Sequence, residues 1–405
     1  MATSESIVTR PPQPGIVVWL KKNLFSNWLN TLLTVFSVTV IFLTARGLIN
    51  WIFFQADWAP VVQNLRLYAV GPYPAEQIWR VWVIVYMVSA MMGVSAGKWG
   101  GTVLVFARAM GVAYLLLALL PIALEYLGIN TRLMLGGNLL AILAGYLAGS
   151  RLERRNRLKA RWVLLAWLAS FGLTILLLGG FRNVAVLPRV ESGQWGGLML
   201  TFLLATVGIV ASFPIGVLLA LGRQSKLPIV KAMCITFIEV VRGVPLVTIL
   251  FMTSILLPLF LPDTLRIDRV LRAMLGMTLF AAAYMAENVR GGLQSISRGQ
   301  YEAAHAMGLN NFQTTLLIIL PQALRVVIPA IVGQFIALFM DTTLAIIIGL
   351  LELLAVGSAI LNSNPQWLLL DMEVYAFIAL IFWVFTYSMA YASRRVEQAV
   401  GLGVR

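Results

Sequence analysis

Residues 301–325, YEAAHAMGLNNFQTTLLIILPQALR, interrupt a chain that otherwise consists of long apolar segments. The stretch is only about half apolar, and its small, charged and helix-breaking residues follow a fixed spacing, EAA-x3-G-x9-I-x-LP. Those fixed positions are Glu302, Ala303, Ala304, Gly308, Ile318, Leu320 and Pro321. A stretch of this kind between two apolar segments predicts a structured loop outside the membrane.

The same residue types predict two helices joined by a turn. Alanines are good helix formers without bulk, so a helix that carries two of them can lie close against another protein. Gly308 can adopt a left-handed backbone conformation and stop that helix. Asn310 followed by Gln313 is typical of a capping box that starts a second short helix. Pro321 suits the first turn of the helix that re-enters the membrane.

The composition of the chain defines its class. Of its 405 residues, 60% are hydrophobic and 11% are charged, whereas a soluble domain carries about 25% charged residues. Apolar runs of about 20 residues recur along the chain, which favours membrane-spanning helices over the alternating segments of a β-barrel. We therefore predict an all-α integral membrane protein.

The net charge of +14 has two explanations, a nucleic-acid partner or cytoplasmic loops that follow the positive-inside rule. The charges lie at the ends of the apolar runs, so the second explanation is favoured and no nucleic acid is expected. A single cysteine excludes an internal disulfide or a cysteine metal cluster. A single histidine leaves little for metal or acid–base chemistry, and no catalytic or metal site is predicted.

The apolar runs predict about ten spans. Their approximate bounds are Asn30–Phe54, Trp79–Ala96, Thr102–Tyr126, Leu133–Ser150, Trp162–Gly180, Leu198–Leu221, Ile229–Phe260, Val270–Val289, Val326–Leu344 and Val374–Ala392. Within the seventh, Gly243 and Pro245 are expected to break the helix. With both termini cytoplasmic, the basic clusters fall on one face. Those clusters are Lys21-Lys22, Lys98, residues 151–161, 223–226 and 290–325, and Arg394-Arg395.

The character of the chain changes near residue 195, because every recognisable motif follows that point. We divide the chain into a cytoplasmic tail (1–29), a five-span extension (30–194), a motif-bearing core (195–393) with its loop at 291–325, and a second cytoplasmic tail (394–405). In the extension, Gly93 with Gly97 and Gly145 with Gly149 form small-xxx-small pairs that suit close helix packing.

Two pairs of charged residues lie in or beside the core spans. Glu239 and Arg242 are three residues apart on one helix and can pair, either as part of a substrate path or as an ion pair that braces a gate. Glu287 and Arg290 share the same spacing at the end of a span, where a structural clasp on the loop is favoured.

A further candidate for the substrate path lies late in its span. Asp341, followed by Thr342, can cap a helix break or contact substrate, and the second role is favoured because charge at membrane depth usually faces the interior of a bundle.

The spacing of the 301–325 stretch resembles the coupling loop of ABC-importer permeases. Residues 237–246, FIEVVRGVPL, and 283–302, AYMAENVRGGLQSISRGQYE, resemble segments of the polar amino-acid permeases, as does the Asp341–Leu344 element. With five further spans, the chain is similar to the larger permease of general L-amino-acid importers. The resemblance implies the type I importer fold, two ABC ATPase subunits, a second permease subunit (a paralogue or an identical copy) and a periplasmic amino-acid-binding protein.

The resemblance also implies a function, the import of L-amino acids across the bacterial inner membrane by alternating access. Because the chain lacks a Walker A sequence, ATP and Mg²⁺ are expected on the partner ATPase, with no cofactor in this chain and only lipid around its spans. The alternatives are a stand-alone secondary transporter or channel for a small polar solute, and a membrane scaffold without transport.

Overall fold

The computed structural model describes residues 15–119, 128–182, 184–262, 267–399 and 401. These residues form helices and turns, together with two isolated bridges. The chain divides into two compact units, Met1–Trp58 and Ala59–Arg405. The predicted boundary at residue 195 falls inside the second unit and stays a prediction.

The first unit contains one short and one long helix. Helix α1 (Ile16–Asn23) carries Lys21 and Lys22 in its last turn. Helix α2 (Trp28–Gln55) ends in a π-helical turn. The Asn27 side chain caps α2 by accepting a hydrogen bond from the backbone N–H of Asn30 at 2.8 Å. At about 1.5 Å per residue, α2 is long enough to cross a hydrocarbon layer of about 30 Å.

The second unit contains fourteen further helices within the described residues. Their bounds are α3 Ala59–Val62, α4 Leu65–Val70, α5 Ile78–Trp99, α6 Gly101–Leu119, α7 Ile129–Arg154, α8 Ala160–Gly179, α9 Gly197–Arg223, α10 Pro228–Arg242, α11 Leu246–Phe260, α12 Arg269–Ser295, α13 Arg298–Ala306, α14 Asn311–Ile348, α15 Leu353–Leu361 and α16 Asp371–Ala399.

Nine helices among the described residues are long and apolar enough to cross a membrane, or ten if α10 and α11 count as one bent span. This agrees with the predicted number. The break occurs at Gly243 and Pro245 as expected, and the two helices meet at 109°. The end of the predicted third span, residues 1–14 of the predicted N-terminal tail, and residues 400 and 402–405 of the C-terminal tail lie outside the described residues.

Glycine contacts join α5 to α7. A Cβ atom added at Gly93 would lie 2.2 Å from the carbonyl oxygen of Ile142, and one at Gly145 would lie 2.2 Å from that of Ala90. Added Cβ atoms at Gly97 and Gly149 would meet the facing backbone at 2.6 and 2.5 Å. The two predicted small-xxx-small pairs therefore pack against each other's helices, and only glycine permits this approach.

Helices α5 to α8 form one bundle, in which hydrogen bonds between uncharged side chains join α5 to α6, α7 and α8. The Ser89 hydroxyl donates to Asn138 Oδ1 at 2.9 Å and lies 3.1 Å from the Tyr114 hydroxyl. The indole N–H of Trp167 donates to the Ser95 hydroxyl at 3.0 Å. Ser89 and Asn138 are fully buried, so these uncharged groups satisfy each other inside the bundle.

Among the motif-bearing helices, α12 lies at the centre. It buries small and flexible side chains such as Ala281, Ala282 and Met285 against α9 and α14. The segment between the last two spans, where the sequence predicts no helix, contains helix α15. The buried carboxylate of Glu352 caps that helix by accepting from the backbone N–H groups of Leu354 and Ala355 at 2.8 and 2.9 Å.

Candidate coupling segment and charge cluster

The predicted loop forms a helix, a tight turn and a second helix; we call residues 298–313 the coupling segment. Helix α13 ends in a Schellman motif, in which the N–H of Leu309 donates to the Ala304 carbonyl at 3.1 Å and that of Gly308 to the His305 carbonyl at 2.9 Å. Gly308 adopts φ +79° there. A residue with a side chain is strained in this conformation, which explains the glycine.

The second helix begins as predicted but does not stay short. The Asn310 and Gln313 side chains form the reciprocal capping box. The chain then continues through a π-helical stretch, Thr314–Ile319, into the span, so α14 starts at Asn311 instead of near Val326. Pro321 lies at the start of the α-helical part. The π-helical widening just before it lets the helix continue past a residue that lacks an N–H.

The coupling segment is exposed on one side and anchored on the other. Ala304 is buried, whereas Glu302, Ala303 and Gly308 are exposed. Tyr301, Ile318 and Leu320 pack against a buried cluster that includes Leu293, Ile319 and Ala323. The amide of Gln322 also donates to the Gln300 side chain at 3.1 Å.

Two large apolar side chains project beside the turn. Met307 is 82% exposed and Phe312 is 72% exposed. The sequence reasoning missed both because neither is a fixed position of the motif. Exposed apolar groups on a rigid turn beside a charged residue are typical of a surface that a protein partner covers.

Charged side chains from three helices meet at the end of α12 that leads into the coupling segment. We call Arg223, Glu239, Arg242, Glu287 and Arg290 the charge cluster. Glu287 is its centre: its carboxylate accepts from Arg290 and lies 3.3 Å from Arg242 and 3.8 Å from Arg223. Arg223 donates to Glu239 at 2.9 Å. The cluster thus connects α9, α10 and α12.

The predicted pair between Glu239 and Arg242 is not made. Arg223 takes the Glu239 carboxylate, and Arg242 turns to Glu287 and lies 5.5 Å from the ring centroid of Tyr284. Helical spacing put the two side chains on one face correctly, but neighbouring helices supply closer partners. The sequence could have identified Arg223 as a candidate partner, because it is a basic residue at the end of a span.

Asp341 and Thr342 lie far from this cluster. Asp341 is the last residue of the α-helical part of α14, which begins at Leu320, and Thr342 follows it, so about 30 Å of helix separates them from the end nearest the coupling segment. Thr342 is buried and donates to the Phe339 carbonyl at 2.7 Å. The structure therefore divides the predicted substrate-path residues between two ends of the core.

Two comparisons of the sequence with known proteins agree with this architecture. A family described as "Binding-protein-dependent transport system inner membrane component" matches residues 212–401. The inner membrane amino-acid ABC transporter permease protein YhdY of Escherichia coli K12 is 37% identical over 419 residues, which cover 98% of each chain. The glutamate/glutamine/aspartate/asparagine transport system permease protein BztC of Rhodobacter capsulatus is 35% identical over 98% of this chain and 96% of its own length.

A solved amino acid ABC transporter with histidines matches 50% of this chain and 92% of its own at 26% identity, with a TM-score of 0.45.

The matched family and the full-length relatives are membrane components of transport systems, and a bundle of apolar helices with an exposed turn at one end is consistent with that class. The full-length similarity to YhdY then defines the group: this chain belongs to the inner-membrane amino-acid ABC transporter permeases. The resemblance to that family is confirmed, and the match extends over the first five spans as well as the motif-bearing ones.

Proposed function

We propose that this permease imports L-amino acids across the bacterial inner membrane by alternating access, driven by separate ATPase subunits that dock on the coupling segment. The observation that carries the proposal is the geometry of that segment. It is a rigid, exposed helix–turn–helix, and α12 and α14 connect it directly to the charge cluster and the core. Movement of the segment is therefore transmitted to the helices that line the core.

The partners follow from this assignment. Two ABC ATPase subunits would bind ATP and Mg²⁺ and perform the hydrolysis, and this chain performs no catalysis. A second permease subunit, a paralogue or an identical copy, would complete the translocation path, and a periplasmic amino-acid-binding protein would deliver substrate. Both termini are cytoplasmic in this proposal, which places the basic clusters on the inner face.

The site residues take separate roles. Glu239 and Arg242 belong to a gate through the charge cluster. Glu287 with Arg290 acts as a clasp that joins α12, the helix leading into the coupling segment, to α9 and α10. Asp341 and Thr342, at the opposite end of the core, are the candidates for contact with substrate. The amino-acid substrate rests on the family, because the named substrates of BztC are acidic amino acids and their amides.

The decisive experiment is uptake by proteoliposomes that contain the purified permease pair with and without the ATPase subunits. We expect uptake of labelled L-amino acids only with the ATPase and ATP. Uptake that persists without any ATPase would instead support a stand-alone transporter. A complex that binds the ATPase but moves no solute would support a scaffold.

The coupling segment is tested by Gly308→Val. We expect the variant to reach the membrane but to lose coupled uptake, because valine is strained at φ +79°. Gly299→Val is the matched control, since Gly299 lies within α13 with open space around its Cα and no positive φ. Equal uptake by the two variants would count against the turn as the coupling element.

The gate is tested by Arg242→Ala. We expect loss of the contact with Glu287 to raise ATP turnover in the absence of substrate and to lower uptake per ATP hydrolysed. If uptake and substrate-stimulated ATP turnover both match those of the unchanged protein, Arg242 is neither a gate residue nor a substrate ligand.

A further inference from the structure

A dense basic segment connects α7 to α8, and the transport proposal makes no use of it. We call residues 151–161, RLERRNRLKAR, the basic run. Its cations are Arg151, Arg154, Arg155, Arg157, Lys159 and Arg161. All six are exposed. Its one carboxylate, that of Glu153, is engaged by Lys98 of α5 at 2.5 Å. The run therefore presents its positive charge outward.

The backbone of the basic run is fixed and short. Helix α7 ends in a Schellman motif, in which the N–H of Arg157 donates to the Leu152 carbonyl at 2.9 Å and that of Asn156 to the Glu153 carbonyl at 2.8 Å. Asn156 adopts the left-handed conformation, φ +51°. Helix α8 begins again at Ala160. With a candidate span on each side, so short a connection keeps the cations at the membrane surface.

Interfacial aromatic residues flank the basic run. Trp162, the second residue after Ala160, is 54% exposed, and the guanidinium of Arg161 lies 5.4 Å from its ring centroid. Trp99 follows Lys98 at the end of α5 and is 44% exposed. Exposed tryptophans at the ends of spans locate the headgroup region of a bilayer. The cations and the indoles thus lie at one depth, where lipid phosphates lie.

We propose that the basic run is a docking surface for the headgroups of anionic phospholipids. Clusters of four to eight arginines and lysines next to a span attract anionic lipid, at about 1 kcal/mol for each charge near the surface. The basic run has six such cations, and Lys98 already pairs with its one acid, Glu153. Its short connection holds these cations at the depth of the headgroups. A bound lipid layer there fixes the position of α5, α7 and α8 in the membrane.

The test compares two lipids around the full-length protein in phosphatidylcholine bilayers. Electron spin resonance of spin-labelled phosphatidylglycerol and spin-labelled phosphatidylcholine measures the relative association of each with the protein. We expect preference for phosphatidylglycerol, and we expect salt to weaken it because charges at a surface are screened. Equal association of the two lipids with the unchanged protein would overturn the proposal.

Variants then locate the preference. Arg154→Gln with Arg157→Gln removes two charges from the run, and we expect the preference to fall by up to about fivefold for each charge. The control, Arg182→Gln with Arg189→Gln, removes two exposed cations beyond the other end of α8. This control variant should keep most of the preference for phosphatidylglycerol. A larger loss in the control than in the run would contradict the proposal.

The lysine variants Arg154→Lys and Arg157→Lys keep the charge and remove the guanidinium. A lipid surface attracts point charge, so we expect these variants to retain the preference and, with it, the membrane topology that basic residues set. If they lose it as fully as the glutamine variants, the run recognises a specific planar ligand. If the glutamine variants keep the lipid preference but lose the ATPase subunit on purification, the run is a protein-docking surface. Either result overturns the proposal.

Discussion

The helices α5 to α8 and the helices around the charge cluster are held together by different kinds of contact. Apart from one ion pair, between Lys98 and Glu153, the first bundle joins its helices by backbone contact at glycines and by neutral hydrogen bonds such as the one from Ser89 to Asn138. The second joins α9, α10 and α12 through arginines and glutamates that are each partly exposed. The close contacts of the first region allow only one arrangement of its helices. The charges of the second region have several possible partners.

The difference indicates which region moves. A glycine contact is lost as soon as the helices separate, because nothing replaces a backbone that has moved away. Glu287, in contrast, has three arginines within reach, so it can keep one partner while it gives up another. Charges near membrane depth also tend to face a cavity or a path. We therefore assign rigidity to the first bundle and rearrangement to the second region.

The largest expected effect is on the rigid side of this comparison. Gly145→Ala places a methyl group 2.2 Å from the Ala90 carbonyl oxygen, and we expect a loss of about 3 kcal/mol in unfolding free energy because backbone, unlike a flexible side chain, cannot yield. Thermal unfolding of the purified protein measures it. Gly136→Ala, on the same helix with nothing within 4 Å, is the control. Similar melting temperatures for both would show that the two helices are not in close contact.

The next effect separates the two carboxylates of the charge cluster. Glu287→Gln leaves three arginines without their shared anion, and we expect it to cost about 2 kcal/mol. Glu239→Gln removes a side chain that is 54% exposed and has one partner, so its cost should stay below about 1 kcal/mol. Thermal unfolding together with coupled uptake measures both. If Glu239→Gln is the more damaging change, Glu287 is not the centre of the cluster.

A smaller effect concerns a carboxylate that belongs to neither group. Glu352 lies outside the membrane-spanning helices, and burial raises its pKa from 4.5 to about 7, although two backbone N–H groups donate to it. The folded protein then binds the proton more tightly than the unfolded chain. The resulting stabilisation is complete below about pH 4.5 and is lost as the pH rises through 7.

Between pH 6 and pH 8 we expect the unfolding free energy to fall by about 1 kcal/mol. Glu352→Gln keeps the shape of the cap without the titration. Melting curves of the variant should lose this part of the pH dependence. The same slope in the variant and in the unchanged protein would assign the titration to another group.

The smallest expected effect tests the neutral hydrogen bonds. Ser89→Ala removes one bond to Asn138 and the contact with Tyr114, and we expect a cost of about 0.6 kcal/mol, as for other hydrogen bonds between membrane helices. Uptake per ATP hydrolysed should not change. A change in that ratio with unchanged stability would place α5 among the moving helices.

The sequence was most informative where a single local signal decides the structure. Apolar length located the spans, and the small-xxx-small spacing located the contact of α5 with α7. Gly308 and the Asn310–Gln313 box defined the coupling segment because turn and cap chemistry depends on a few neighbouring residues. Each of these features needs no information from distant parts of the chain.

The features that sequence reasoning missed depend on tertiary partners. Pro321 predicted the start of a new helix. Helix α14 instead begins at Asn311 and passes through the π-helical stretch Thr314–Ile319 before it reaches Pro321. Glu239 and Arg242 had the spacing of a pair, and only the packing of α9 and α12 shows that Arg223 and Glu287 are nearer. Helix α15 was missed because nine residues are too few to stand out from a polar connection.

The sharp bend between α10 and α11 has a consequence for biosynthesis. Each arm is too short to cross about 30 Å of hydrocarbon alone. Arg242, at the bend, leaves the ribosome several dozen residues before Glu287. At about 5–20 residues per second, the nascent chain holds Arg242 without its native partner Glu287 for some seconds. We infer that this bent segment reaches its final position only after α12 has entered the bilayer and supplied the carboxylate of Glu287.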